Sequence, residues 1–118
     1  GLSARNPGRA MAPAGHVRNG GNSNFGGSQF ISTTTDPAVA ANWREPGQVT
    51  VRFDTDAVVP DAKGNLSIID VSTPKSAREA GLKGPAANYA AASKEVLVEG
   101  HVPPDAIEEI DPSCGCKI

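Results

Sequence analysis

Residues 29–54 read QFISTTTDPAVAANWREPGQVTVRFD, and this stretch decides the fold class of the chain. Its first five residues, Gln29 to Thr33, are β-prone and predict a strand. Asp36 and Pro37 then predict a helix start, with Asp as the N-cap and Pro at the first helical position. The helix should end at Glu45-Pro46-Gly47. From Gln48 to Asp54 apolar and polar residues alternate, which predicts a half-buried strand.

The residues that follow predict further short elements. A turn is expected from Asp61 to Asn65 and a strand from Leu66 to Val71. Pro85 to Ala92 reads as an Ala-rich helix that leads directly into a buried strand at Glu95 to Val98, and a last strand is expected from Ala106 to Ile110. Because the strands do not alternate regularly with helices, the order predicts an α+β fold with small antiparallel sheets and two or three short helices.

The two ends of the chain show little periodicity. Residues 1–27 are rich in Gly, Asn, Ser, Pro and Arg and predict an irregular segment, with one short strand or turn near His16. Residues 111–118 predict a tail that exposes Cys114 and Cys116, since further metal ligands are not nearby in the sequence. The whole of 1–118 is expected to be a single domain, cut from a longer polypeptide because it begins at Gly1 without a signal peptide.

Composition restricts the classes of ligand. Aromatic residues are only 4% of the chain, so the core must consist mainly of Val, Ile, Leu and Ala. The net charge of −2 disfavours a nucleic-acid-binding protein and favours a small anionic ligand. The chain lacks an apolar run long enough to span a bilayer, so no membrane partner is expected.

Three polar groups are expected at ends of elements, where side chains reach a cleft. They are His16 in the Gly-rich segment, Ser32-Thr33-Thr34 at the end of a strand, and Glu95 at the start of another. Their order resembles the ADP-ribosyltransferases of the cholera-toxin type, the Arg-Ser-Glu class. In that family a strand ending in Ser-Thr-Ser precedes a helix, and a Glu-x-Glu later opens another strand. The resemblance runs from about His16 to Ile110.

Further residues carry the resemblance. Phe30 to Thr34, with Ala40 in the next helix, match the family's second motif. Lys94-Glu95-Val96, followed by Pro103 to Ile107, matches the third. The stretch from Gly1 to Val17 is similar to the C-terminal toxin domains of contact-dependent inhibition and Rhs-type polymorphic toxins. An ADP-ribosyltransferase-like cleft between the small sheets is therefore the expected site.

The resemblance implies cleavage of NAD, with NAD as substrate and no metal. Glu95 would stabilise the positive charge that develops on the ribose, and Ser32 would orient Glu95 by a hydrogen bond. His16 would complete the catalytic set by contacting ribose or phosphate. Thr33 and Thr34 would shape the nicotinamide pocket.

The sequence departs from the family pattern in two places. The family's first motif is an Arg on a strand that would lie before Gly1, so Arg5, Arg9 or Arg18 would have to replace it, and Arg18 is the candidate for cofactor binding. Ser93 stands where arginine-modifying enzymes carry a second Glu. This departure speaks against arginine as the acceptor and leaves another acceptor, or hydrolysis of NAD.

The toxin resemblance also implies a setting and partners. The domain would be secreted as part of a larger protein and act in the cytoplasm of a target bacterium, on a protein or RNA acceptor. A cognate immunity protein would protect the producing cell. Two alternatives remain: a metal-independent ribonuclease that cuts tRNA, with His16 as general base and Arg18 and Thr33 or Thr34 at the phosphate, and a non-enzymatic interaction domain.

Overall fold

The protein is an α+β domain in a computed structural model that describes residues 1–19 and 27–118. This part of the chain contains four α-helices, where two or three were predicted, and three small antiparallel sheets. The α+β class is therefore confirmed. The helices are α1 (Pro13–Arg18), α2 (Pro37–Trp43), α3 (Pro74–Glu79) and α4 (Gly84–Ala92). The strands are β1 (Leu2–Ser3), β2 (Ile31–Thr34), β3 (Val51–Arg52), β4 (Ser67–Asp70), β5 (Glu95–Glu99), β6 (His101–Val102), β7 (Glu108–Asp111) and β8 (Cys116–Lys117).

The sheet that positions the polar groups has the strand order β2-β5-β4, with β5 in the centre. Both neighbours run antiparallel to β5: Thr34 pairs with Glu95 on one side, and Asp70 pairs with Val96 on the other. Leu97 and Val98 are adjacent in β5, so they point to opposite faces of the sheet, and both are fully buried. The apolar run at 96–98 therefore belongs to a strand that is covered on both faces.

Each face of this sheet has its own hydrophobic core. On the Leu97 face, the small alanines of α4 allow close packing with α1 and α3. On the Val98 face, β6 and the segment around Val58 cover the sheet. The first core consists of Val17, Phe30, Val71, Ala77, Leu82, Ala86, Ala87, Ala90 and Leu97. The second is built on Val58, Val98 and Val102.

The irregular segment predicted for residues 1–27 is irregular from 4 to 12, but it contains a short strand and a helix that were not predicted. Residues Pro13–Arg18 form α1, with Pro at the helix start and His16 and Val17 buried. A helix of six residues is too short to show a detectable apolar period, and its stability comes from packing against α4. Near the chain start, β1 pairs with β6. Residues 20–26, the rest of the predicted loop except position 27, lie outside the described residues.

Other predicted elements are confirmed with different limits. The helix after Asp36 forms, and the Asp36 carboxylate accepts a hydrogen bond from the Ala38 amide as an N-cap should. The strand predicted from 48 to 54 is limited to β3. Before it, Val49 is 55% exposed and Thr50 is buried, which is the reverse of the predicted alternation. The missed helix α3 begins with a capping box, in which Thr73 and Ser76 bind each other's backbone amides.

The predicted tail folds back on the domain. β8 pairs with β7; Cys114 lies in the turn between them, and Cys116 begins β8. Both thiols are free and exposed, which confirms their predicted exposure. In the described part of the chain, none of the helices has both the length and the apolar content to cross a membrane.

Candidate functional site

Ser32 and Glu95 lie on the same face of the central sheet. Ser32 pairs with Leu97, and Thr34 pairs with Glu95 two residues along. Directly paired residues of antiparallel strands share a face, so Ser32 and Glu95 are diagonal neighbours across β2 and β5. The register therefore places the hydroxyl and the carboxyl on one face, as the predicted orientation of Glu95 by Ser32 requires.

The carboxyl of Glu95 is buried although β5 carries no cationic side chain. The residue is 2% exposed, and within residues 1–19 and 27–118 its Oε1 atom has no hydrogen-bond partner. Burial raises the pKa of Glu95 above its usual range, and a hydrogen bond from the Ser32 hydroxyl opposes that rise. A buried acceptor without a donor costs about 1–3 kcal/mol, so this oxygen lowers the stability of the fold.

His16 connects the same hydroxyl to a second serine. Its Nε2 lies 2.6 Å from Ser32 Oγ, and its Nδ1 lies 2.5 Å from Ser28 Oγ. The ring is buried in an edge-to-face contact with Phe30, with the centroids 5.7 Å apart. Burial lowers the pKa of His16, which favours the neutral imidazole at neutral pH. Four polar side chains therefore form one line: Ser28, His16, Ser32 and Glu95.

The turn from α4 into β5 fixes the start of the strand. Lys94 has a φ of +49°, which reverses the chain directly after the helix. The Thr34 hydroxyl donates to the Ser93 carbonyl at 2.5 Å, and the Lys94 ammonium lies 3.4 Å from the Asp36 carboxylate. These contacts tie the end of β2 to the start of β5. They hold Glu95 at the end of the central strand, next to the start of α2.

Thr33 and Thr34 are held by backbone contacts. Thr33 lies on the opposite face from Ser32, and its hydroxyl donates to the Val96 carbonyl at 2.7 Å. The structure therefore does not bring Thr33 together with Ser32 and Glu95. Thr34 does share their face, but its hydroxyl also accepts a hydrogen bond from the Asp36 amide at 3.2 Å. Both side chains strengthen the β2 end, as Thr does at strand ends.

The candidate arginines are not at the Glu95 carboxyl. Arg18 is exposed in the last turn of α1, and its offset of two residues turns it about 200° around the helix axis from His16. Arg9 donates to the Gly27 carbonyl at 2.6 Å, directly before Ser28. The side chain of Arg5 packs next to Gly27 as well. The N-terminal arginines thus border the segment that holds Ser28.

The cleft between the small sheets stays a prediction. Ser32 is exposed whereas Glu95 is buried behind it, so an approaching molecule meets the hydroxyl first. Two surface depressions lie elsewhere. One of about 240 Å³ lies between α3 and α4, and includes Arg78 and Lys83. The other, of about 380 Å³, lies at β3 and is lined by Arg52, Phe53, Asp54, Ala106 and Glu108.

Sequence reasoning found three of the four members of the line and missed Ser28. A serine in a Gly-rich stretch carries no pattern that distinguishes it, and its role depends on a helix that the sequence did not predict. Among the residues described, no group of three or more His, Cys, Asp or Glu side chains is placed to hold a metal ion.

Comparisons with protein families, with curated proteins and with solved structures found no match. Ser28, His16, Ser32 and Glu95 therefore form the candidate site.

Proposed function

We propose that this domain is an NAD-consuming enzyme, either an ADP-ribosyltransferase or an NAD glycohydrolase. One observation carries the proposal: a carboxyl on a central strand is buried with an unpaired oxygen, next to an exposed hydroxyl that a histidine holds. A protein that keeps such a carboxyl sacrifices stability, and strained or unsatisfied groups of this kind concentrate at functional sites.

The chemistry of NAD cleavage fits this carboxyl. When the bond between nicotinamide and ribose breaks, the bonding electron pair leaves with nicotinamide, which becomes neutral. Positive charge then develops on the ribose, and an ionised Glu95 next to the ribose would stabilise that charge. Water, or a nucleophile of the acceptor, adds to the ribose carbon and loses a proton to solvent. Ser32 would orient the carboxylate during this sequence.

The raised pKa of Glu95 is compatible with this role. A cationic nicotinamide ring or an oxocarbenium-like ribose beside the carboxyl favours its ionised form and opposes the effect of burial. The carboxylate would therefore interact more strongly with the charged ribose of the transition state than with the uncharged ribose of bound NAD. A preference for the transition state over the ground state is what accelerates a reaction.

The residue two positions before Glu95 restricts the class of acceptor. Ser93, two residues before Glu95, is buried at the end of α4 and cannot replace an acceptor-activating carboxylate. We therefore propose hydrolysis of NAD, or transfer to an acceptor other than arginine, on a protein or an RNA. In the biological setting, we propose that the domain acts as the toxin of a larger secreted protein in the cytoplasm of a target bacterium and is neutralised by a cognate immunity protein.

Nicotinamide release from NAD tests the proposal directly. Glu95→Gln should lower the turnover number by at least about 100-fold, because it removes the charge that stabilises the transition state. Glu99→Gln is the matched control, since Glu99 lies at the other end of the same strand and burial also raises its pKa. That control should retain the wild-type rate.

The proposal fails if the folded wild-type domain releases no nicotinamide in the presence of target-cell lysate, or if Glu95→Gln is as active as wild type. The ribonuclease hypothesis is the weaker one, because Arg18 points away from His16 and both ring nitrogens of His16 lie against serine hydroxyls. Incubation with tRNA in the same assay distinguishes the two. Fragments that disappear in His16→Ala, without release of nicotinamide, would favour the ribonuclease.

A further inference from the structure

The direction of the hydrogen bonds along the line of four side chains is fixed from one end. The Phe30 amide donates to Ser28 Oγ at 3.0 Å, so this hydroxyl oxygen acts as an acceptor from the backbone. Ser28 is 2% exposed, so its own hydrogen cannot be donated to bulk water. Leaving that hydrogen unpaired would cost about 1–3 kcal/mol.

The acceptor for the Ser28 hydrogen is His16. Within residues 1–19 and 27–118, the Ser28 hydroxyl has one further hydrogen-bond partner besides the Phe30 amide, Nδ1 of His16 at 2.5 Å. Ser28 therefore donates, and Nδ1 accepts. A neutral imidazole has one hydrogen, which must then be on Nε2.

The same direction continues to the carboxyl. Nε2–H of His16 donates to Ser32 Oγ at 2.6 Å. The hydrogen of Ser32 is then left for Glu95, its diagonal neighbour on the same face of the sheet. In the opposite arrangement Nδ1 would carry the hydrogen and Nε2 would accept from Ser32. The single hydrogen of Ser32 would then be used by the histidine, and the Glu95 carboxylate would lose its donor.

We propose that His16 is a positioning residue, held as the Nε2–H tautomer by Ser28, which turns the Ser32 hydroxyl toward the carboxylate of Glu95. The contribution of His16 to catalysis rests on the proposed function, whereas the direction of the hydrogen bonds does not. This role differs from the contact with ribose or phosphate that the sequence resemblance implied for His16.

Nitrogen-15 NMR of the ligand-free wild-type domain tests the tautomer without any assay of activity. The chain contains two histidines, so His101→Gln identifies the signals of His16. His101 is a suitable reference because it lies on β6 with its Nδ1 at 2.7 Å from Ser3 Oγ, in another sheet. At neutral pH, Nε2 of His16 should be protonated and Nδ1 unprotonated. Protonation of Nδ1 would overturn the proposal.

Two substitutions of His16 test the positioning role. In His16→Gln the side-chain amide reaches the place of Nε2 and can still donate to Ser32, whereas in His16→Asn it ends near the place of Nδ1. Gln should retain at least about a tenth of the NAD turnover number. Asn should lose about 100-fold, with the Michaelis constant changed less than about threefold, as expected for a misoriented catalytic group.

The pKa of Glu95, measured by carbon-13 NMR of its carboxyl group, gives a second comparison of the same variants. It should stay near the wild-type value in His16→Gln and rise in His16→Asn, where Ser32 is no longer oriented toward it. Equal effects of Gln and Asn on both turnover and this pKa would overturn the positioning role. A wild-type domain that has the Nε2–H tautomer but does not cleave NAD would instead refute the proposed function and keep the hydrogen-bond direction.

Discussion

At the scale of single residues, Glu95 lowers the stability of the fold, and the proposed function gives a reason to keep it. Its carboxyl is removed from water, and among the residues described one of its oxygens lacks a donor while the Ser32 hydroxyl favours its charged form. Such a group lowers the free energy of unfolding whenever it is ionised. The sequence indicated this residue by its place at the start of a strand, but its burial depends on tertiary packing, which the sequence did not show.

Glu95→Gln should therefore stabilise the folded domain by about 1 kcal/mol at pH 7. The folded pKa lies above the ordinary value of 4.5, so the native state binds the proton more tightly than the unfolded state. Stability contributed by this group is present at low pH and is lost as the pH rises from 4.5 through the folded pKa. The advantage of the variant should consequently shrink as the pH is lowered toward 4.5.

Urea denaturation at pH 7 and pH 5 measures this effect. Other carboxyls also titrate in this range, so the quantity to compare is the difference between variant and wild type at each pH. Glu109→Gln on β7 is the exposed control and should leave stability unchanged. A Glu95→Gln variant that is less stable than wild type at pH 7 would contradict the inferred cost of the buried charge.

At the scale of elements, the junction between β5 and β6 leaves no room for a side chain at Gly100. Gly100 has a φ of +152°, and a Cβ atom there would lie 2.7 Å from Val58 Cγ1 and 2.8 Å from the Val59 carbonyl oxygen. The same backbone position lets His101 form a bridge with Val59. The chain can thus leave one sheet and enter another without a connecting loop.

Gly100→Ala should destabilise the domain by at least about 2 kcal/mol, since it combines backbone strain with overpacking. Gly64→Ala is the matched control: it also has a positive φ, +82°, but a Cβ there would meet nothing within 4 Å. The control should cost about 1 kcal/mol. Chemical denaturation of both variants measures the two costs, and equal values would show that the Val58 and Val59 contacts do not restrict position 100.

Elements with strong local signals could be predicted from the sequence. The Asp36-Pro37 start of α2 and the apolar run of β5 are local patterns, and both elements formed. The helices α1 and α3 were missed because each has six residues, too few to show a period. Ser28 was missed for a related reason, since its contact with His16 is created by tertiary packing.

At the scale of the whole molecule, the two cores share a single strand. The face of β5 with Leu97 belongs to one core, and the face with Val98 belongs to the other. Short strands and small helices surround it, and these contribute few hydrogen bonds each. The small sheets β1-β6 and β3-β7-β8 lie at the periphery of this arrangement.

The double burial of β5 has a consequence for how the domain would open. An amide in β5 becomes accessible to solvent deuterium only if both flanking strands and both cores separate, so exchange at Leu97 and Val98 should require global unfolding. Amides of β8 at the rim should exchange through local fraying. Deuterium uptake followed by mass spectrometry would show this ranking, and fast exchange in β5 would contradict it.

A carboxyl carried by the slowest-exchanging strand should keep its geometry until the entire domain melts, so heat inactivation should coincide with unfolding rather than precede it.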